Sequence, residues 1–236
     1  MLGMHFPDSA VDTAKVTPAE TVGPYAFVQY ESLWLLGDIA LNIVKYLEQR
    51  GYNASITYDL GELSSCVKSS RGMLPDLQSN RFAAVLAGLG YIGSNGIPLT
   101  SKFGPRQRFI AIVTDYSFKD DPLYSEKIVC EKCDKTCINS CPTNAIAGKN
   151  LSFSVDGKTF NLPKIDQLKC DWAKRYGLVS KDGPEYYAVK TDVPYPKNIT
   201  PEKLAKAISK IKWGVQKRHI NICEECLRTC TFKGNK

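Results

Sequence analysis

Apolar and polar positions alternate in helix and strand patterns over the first half of the chain and lose that regularity in the second. Between Ser32 and Arg50, Leu36, Ile39, Ala40, Ile43, Tyr46 and Leu47 recur at i, i+3 and i+4 spacing, which predicts an amphipathic helix. Gly51 ends it as a C′ residue, a position that needs left-handed backbone. Ala54-Ser55-Ile56-Thr57-Tyr58 follows as a short strand, so helix, glycine turn and strand form an α/β unit. Residues 1–6 are apolar from the first position and read as a strand that starts abruptly, as if longer relatives carry a preceding segment. Residues 7–30 hold Pro, Gly and Thr and read as irregular. A helical turn or two is expected over Asn80–Leu86. Phe109-Ile110-Ala111-Ile112-Val113-Thr114 is nearly all apolar and β-rich, the pattern of a central strand covered on both faces, with Asp115 at its exit.

The second half reads differently. Ser152–Val155 and Lys158–Phe160 flank Asp156-Gly157, a type I′ hairpin signal. Residues 177–200 are rich in Gly, Pro, Tyr and Asp and read as an excursion loop. Thr200 as N-cap and Pro201 at the first position open the last helix, 201–218, with an apolar stripe of Leu204, Ile208, Ile211 and Val215. The change of pattern predicts an α/β domain over 1–125 and a second domain over 126–236, hinged at Asp120-Asp121-Pro122.

Composition limits the classes. Hydrophobic residues make up 43% and charged residues 23% of 236, enough apolar surface for a core, which excludes disorder as the main state. No window reaches the ~18 uninterrupted apolar residues of a membrane span. The start, Met1-Leu2-Gly3-Met4-His5-Phe6, lacks the basic region of a secretory signal, so a cytoplasmic protein is expected. The net charge of +7 is concentrated in residues 203–236, which carry nine Lys/Arg against Glu224 and Glu225. Such a segment suits nucleic acid, or it offsets a negative cofactor.

That choice turns on the nine cysteines. One group is Cys130-x2-Cys133-x3-Cys137-x3-Cys141-Pro142; the other is Cys170 with Cys223-x2-Cys226-x3-Cys230. Clustered cysteines in a cytosolic chain argue for metal over disulfides. In the two-cluster ferredoxin pattern, three cysteines of one run hold one 4Fe–4S cluster and the fourth ligates the other. Applied here, Cys130, Cys133, Cys137 and Cys230 hold the first cluster, and Cys141, Cys170, Cys223 and Cys226 the second. Two features depart from that pattern. Three residues separate Cys133 from Cys137, and Thr231 follows Cys230. A pair of four-cysteine zinc sites uses similar knuckles and is the alternative, but the Cys-Pro ending has no role in a zinc ribbon. Each oxidised cluster with its thiolates carries about −2, so the basic segment partly neutralises them. Cys66 has no role beyond a buried thiol, and His5 and His219 are too sparse for a site.

Gly88-Leu89-Gly90-Tyr91-Ile92-Gly93 matches a dinucleotide fingerprint literally, with Asp115 where a ribose-binding acid would stand. The context contradicts it. Gly96, Pro98, Gly104 and Pro105 leave no helix to open at Gly93, and Ala83–Leu86 reads as helix, not strand. A glycine-dense turn either lets backbone approach a bulky ligand closely or is simply a tight connection.

The run from Ala87 through Gly88, Gly90, Tyr91, Gly93, Asn95 and Gly96, followed by Phe103-Gly104-Pro105-Arg106, the strand ending at Asp115 and the two-cluster cysteine set, resembles epoxyqueuosine reductases and corrinoid-dependent reductive dehalogenases over residues 30–236. The resemblance implies a nitroreductase-like, cobalamin-binding sheet domain followed by a ferredoxin-like domain with two 4Fe–4S clusters. It implies a cobalamin near the glycine loop, with Gly88, Gly90, Tyr91, Gly93, Asn95, Gly96 and Arg106 as contacts and Ser94 and Arg108 as further rim donors. The family's catalytic acid lies upstream of that loop; Asp76 is the nearest acid, slightly out of register, and a plain loop aspartate is the competing reading. The implied activity is an oxidoreductase that removes oxygen or halogen from a small or tRNA-borne substrate, fed by a ferredoxin or flavodoxin. The alternatives are a ferredoxin-type electron carrier without cobalamin and a zinc-bearing nucleic-acid-binding protein.

Overall fold

The apolar run around Phe109 is the middle strand of the main sheet. The structure, a computed structural model, describes residues 1–13, 24–57, 68–69, 72–73, 77–125, 129–146, 150–176, 185–186, 189–190, 196–208 and 223–235. In chain order its elements are β1 (Leu2–His5), α1 (Asp8–Thr13), α2 (Pro24–Glu48), β2 (Ala54–Thr57), β3 (Lys68–Ser69), β4 (Gly72–Met73), α3 (Leu77–Leu86), β5 (Tyr91–Ile92), β6 (Pro98–Leu99) and β7 (Gln107–Thr114). A 3-10 turn (Val129–Glu131), α4 (Thr136–Asn139), β8 (Asn150–Val155), β9 (Lys158–Pro163), α5 (Gln167–Tyr176), β10 (Glu185–Tyr186), β11 (Val189–Lys190), α6 (Pro201–Ile208) and α7 (Glu225–Arg228) follow.

The sheet runs β1-β7-β2, with both outer strands antiparallel to β7. Leu2 stands opposite Ile110, and Ile56 opposite Ile112. These side chains share one face, where Leu36 and Ala40 of α2 cover them. The other face carries Phe109 and Ala111, both buried. There Thr57 of β2 donates a 2.6 Å hydrogen bond to Asn80 of α3. Coverage of β7 stops before its end: Val113 is 63% exposed, so the strand is covered on both faces only along its first part.

Helix α2 corrects the reading of residues 7–30 and shifts the expected stripe. It starts at Pro24, where the fixed φ of proline suits a first helical position. Its buried side is Tyr25, Gln29, Ser32, Leu36, Ala40, Val44 and Leu47, spaced by three and four throughout. The first turns of that side are aromatic and polar, which hid them from a purely apolar count. Ile39 and Tyr46, expected on the stripe, are exposed. Gly51 has φ 86°, as a C′ residue should. The 8–13 stretch is also helical, and Asp8 and Asp12 of that turn reach Arg106 at 2.8 and 2.6 Å. The Asp156-Gly157 hairpin has both φ values positive, 48° and 72°, as a type I′ turn requires. Thr200 accepts the Lys203 amide at 3.3 Å and so caps α6, but α6 is not the last helix, because α7 follows. Residues 209–218 of the expected helix lie outside the described residues, as do 177–184, 187–188 and 191–195 of the expected loop.

One apolar cluster crosses the boundary expected at 125–126. Phe6, Val11, Tyr25 and Ile97 pack with Leu227 of α7, and Cys226 borders them. A buried Phe or Leu contributes about 1.5–3 kcal/mol, so the cysteine segment is anchored to the sheet region by core packing.

Two outcomes follow from this architecture. Hydrogen bonding to Arg106 holds the Asp12 carboxyl at about 2, below its usual 3.8 and against the opposing effect of burial. A depressed carboxyl stabilises the fold above its unfolded pKa and stops doing so as pH falls through the folded one. The melting temperature should therefore drop between about pH 4 and pH 2, and drop less in Asp12→Asn. The second outcome contrasts two glycines. A Cβ at Gly90 would fall on the Leu99 carbonyl, whereas one at Gly37 meets nothing within 4 Å. Gly90→Ala should cost about 1–3 kcal/mol in denaturant unfolding, while Gly37→Ala in mid-helix should gain about 0.5–1 kcal/mol.

Candidate metal centres

Two short helices place most of the cysteines, and they are copies of one device. Lys135 and Glu224 both take left-handed backbone, φ 56° and 39°. Each is followed by a four-residue helix whose second residue is a cysteine, Cys137 in α4 and Cys226 in α7. Each helix closes on another cysteine, where the Cys141 amide bonds the Ile138 carbonyl at 3.2 Å and the Cys230 amide bonds the Leu227 carbonyl at 3.3 Å. The helices meet through a 2.7 Å hydrogen bond between the Ser140 and Thr229 hydroxyls. Cysteines at corresponding places are thus brought together in opposite pairs.

Cys130, Cys133, Cys137 and Cys230 line a single cavity, with Asn95, Val129 and Phe232 in its walls. Cys137 is buried, and its thiol is pushed up to about 12 by burial and then by Cys230, Cys130 and Cys133. Cys230 is pushed to about 11, first by burial. The second set has the same exposure, with Cys223 buried and Cys141, Cys170 and Cys226 half-buried. Burial raises the Cys226 thiol, and Cys170 and Cys141 add to it. Cys223 is raised by burial, with Cys226 and Cys170 beside it. The Ala145 amide points at the Cys141 sulfur at 3.2 Å. Thiols packed this way resist ionisation unless a cationic centre compensates them, which is the chemistry of a metal–thiolate site. Among the described residues no three His, Cys, Asp or Glu converge closely enough to hold a single metal ion. A multi-iron cluster takes its thiolates at separate corners, so it places a different demand on the donors. The eight described cysteines form no disulfide. Cys66 lies outside the described residues.

The second set hangs on a buried carboxylate. Glu224, between Cys223 and Cys226, accepts hydrogen bonds from Arg108 at 2.5 Å, from Tyr25 at 2.6 Å and from Gln29. Gln29 also donates to the Tyr25 hydroxyl and accepts from Arg108. Burial would raise the Glu224 carboxyl, but Arg108, Tyr25 and Gln29 outweigh it and hold the group below its ordinary range. The sequence reading missed this network, since its members lie up to 199 positions apart. Its one local signal was an acid placed inside a Cys-x2-Cys turn.

The glycine loop does not present a cradle for a corrinoid. A Cβ at Gly88 would meet the Pro122 carbonyl, at Gly90 the Leu99 carbonyl, at Gly93 the Leu99 side chain, and at Gly96 the Ile165 side chain. The close backbone approach that glycine permits is therefore to protein. Tyr91 is buried, and its hydroxyl accepts the Val129 amide at 3.0 Å. Asn95 accepts the Ile97 amide at 3.1 Å and donates to the Cys226 carbonyl at 3.0 Å. Arg106 is engaged by Asp8 and Asp12, and Arg108 by Glu224 and Gln29. The residues expected to line a corrin ring thus support the cysteine loops and the sheet, and they do not fit as its contacts. The cavity beside them, bounded by Asn80, Arg81, Phe109 and Glu224, is about 20 Å³, room for roughly one water molecule. A drug-sized ligand needs about 300 Å³ or more, and a corrin is larger still. As expected, no helix opens at Gly93, where the chain turns into β6. Asp76 lies outside the described residues.

No family model matches the chain. The tetrachloroethene reductive dehalogenase of Desulfitobacterium hafniense is 31% identical over 114 residues, 48% of this chain and 18% of that protein. The epoxyqueuosine reductase of Synechocystis sp. is 27% identical over 201 residues, covering 74% of this chain and 67% of that one. A catabolic reductive dehalogenase in complex with 3-bromo-4-hydroxybenzoic acid shares the fold with TM-score 0.53, at 20% identity over 76% of this chain and 22% of the other. A reductive dehalogenase structure described for B12-dependent dehalogenation gives 0.52, at 17% identity over 88% and 29%. The chain therefore spans about a fifth of the curated dehalogenases it matches. In sequence it is related to epoxyqueuosine reductases and reductive dehalogenases, and its α/β fold is that of the dehalogenase structures, which supports the family that its motifs suggest.

Proposed function

We propose that this chain is a two-cluster iron–sulfur oxidoreductase unit. Cys130, Cys133, Cys137 and Cys230 would hold one 4Fe–4S cluster, and Cys141, Cys170, Cys223 and Cys226 the other. The observation that carries the reading is the gathering of eight thiols into two sets of four, each completed by a cysteine from the opposite helical turn. When bound, the clusters supply one-electron transfer. The protein keeps the thiolates in place and directs amide hydrogens at sulfur. A ferredoxin or flavodoxin is the proposed electron donor, and the sheet region of residues 1–125 is the proposed support for the cluster region of 126–236. Reduction of a halogenated compound or of a tRNA-borne epoxide is the activity that the relatives' names suggest. A cobalamin has no part in this reading, because the residues expected to contact it are engaged elsewhere. That engagement favours a second reading, an electron carrier that serves a reaction centre built by other residues.

Anaerobic reconstitution should yield about eight irons and eight sulfides per chain. Zinc at two per chain without sulfide would refute the proposal. Cys137→Ala and Cys226→Ala should each lose about half of the iron while the far-ultraviolet dichroism of the sheet region persists. Glu224→Ala leaves Arg108 without its carboxylate and should destabilise the protein by about 3–5 kcal/mol. Hydroxocobalamin added to the reconstituted protein should wash out on desalting; retention of about one corrin per chain would assign a pocket to other residues. If the basic segment from Lys203 onward contacts tRNA, binding should weaken steeply with salt, whereas a flat response would leave it as charge compensation for the clusters.

A further inference from the structure

The two cysteine-bearing turns touch through hydroxyls, at the same place in each. Ser140 precedes Cys141, and Thr229 precedes Cys230. Each closes its short helix with an amide hydrogen bond of 2.9 Å, to the Thr136 carbonyl in α4 and to the Glu225 carbonyl in α7. Both residues are half-buried. The Thr229 hydroxyl also donates to the Glu225 carbonyl, at 2.6 Å. A hydroxyl has one proton and two lone pairs. Across the 2.7 Å contact between the two oxygens, Ser140 is therefore the donor and Thr229 the acceptor. The Ser140 hydroxyl also reaches the Cys137 carbonyl at 3.1 Å. Cys137 belongs to the first set, and Glu225 adjoins Cys226 of the second. An uncharged line of hydrogen bonds thus runs from a cysteine carbonyl of one set to the residue before a cysteine of the other.

We infer that Ser140 and Thr229 are positioning residues for the pair of clusters, their hydroxyl contact setting the separation of the two cysteine sets and with it the coupling of one cluster to the other. The inference rests on the two-cluster proposal above. Each residue is tied to one set by its backbone, as the neighbour of Cys141 or Cys230, and to the turn that carries a cysteine of the other by its side chain. Because the sets exchange cysteines, a slip of α4 against α7 would alter the gap between them. Apolar packing at this contact would permit such a slip, since it is non-directional. A hydrogen bond restricts both distance and angle. Electron exchange between two centres falls steeply with their separation, as does the magnetic interaction between them. The contact therefore governs how readily an electron passes from one cluster to the other.

The test is electron paramagnetic resonance of the reconstituted full chain, reduced anaerobically until both clusters carry an electron, with iron and sulfide measured on each sample. The wild-type spectrum should show the mutual splitting of two nearby reduced clusters. Two independent signals from a wild-type chain with about eight irons would overturn the inference. Thr229→Val keeps the shape and removes the acceptor, and Ser140→Ala removes the donor. Each should retain about eight irons and its midpoint potentials, while the splitting shrinks toward two independent signals. Thr229→Ser keeps the hydroxyl and should keep the wild-type splitting. Ser140→Ala, the smaller change, decides the question if Thr229→Val fails to load. Unchanged splitting in the hydroxyl-free proteins with full clusters would overturn the role of the pair and leave the two-cluster proposal standing. A wild-type chain that takes up no iron and sulfide would overturn that proposal itself.

Discussion

The exchange of cysteines between two short helices is the constraint on which the rest of this structure depends. Each helix keeps one cysteine for its own set and hands the cysteine after it to the other. Neither set can be completed without the partner turn, so α4 and α7 must pack together, 89 positions apart in the chain. The left-handed residues that open them, Lys135 and Glu224, are consequences of that demand. A non-glycine residue in that region costs free energy and persists only where the surroundings over-determine it. At Glu224 the surroundings are plain: its side chain is fixed by Arg108, Tyr25 and Gln29.

That carboxylate also explains how a metal-binding segment is held to an α/β sheet. A lone buried charge is expensive, and a paired one contributes little net stability compared with apolar packing. What such a group supplies is position. Glu224 accepts from β7 and from α2 at once, so the Cys223–Cys226 turn can sit at only one place against the sheet. Leu227, three residues after Glu224, adds the apolar part of the same attachment by entering the cluster of Phe6, Val11 and Tyr25. The glycine loop completes it from a third direction, with Asn95 hydrogen bonded to the Cys226 carbonyl and Ser94 directed at the Cys130 sulfur. One loop touches both cysteine sets.

This arrangement gives the glycine-rich motif a physical meaning other than the one it first suggests. Glycines occur where something must come closer than a Cβ allows, but the motif does not say what. Here it is the Leu99 carbonyl, the Pro122 carbonyl and the side chain of Ile165. The arginine that follows is likewise absorbed, by Asp8 and Asp12 of a helix that looked irregular in sequence.

The sequence by itself determined the local elements whose causes are local. Gly51 as a helix stop, Asp156-Gly157 as a hairpin turn, Thr200 as a cap and the apolar run of β7 each follow from a few neighbouring residues, and each is found in the structure. Cysteine spacing also suggested two sets of four, and in the structure Cys130, Cys133, Cys137 and Cys230 line one cavity. Only the tertiary structure decided which groups face the thiols and which hold the scaffold. The buried side of α2 begins with Tyr25 and Gln29, polar enough to look solvent-facing until Glu224 arrives from the far end of the chain. Burial of a charge is a property of everything packed around it, and no window of sequence contains those neighbours.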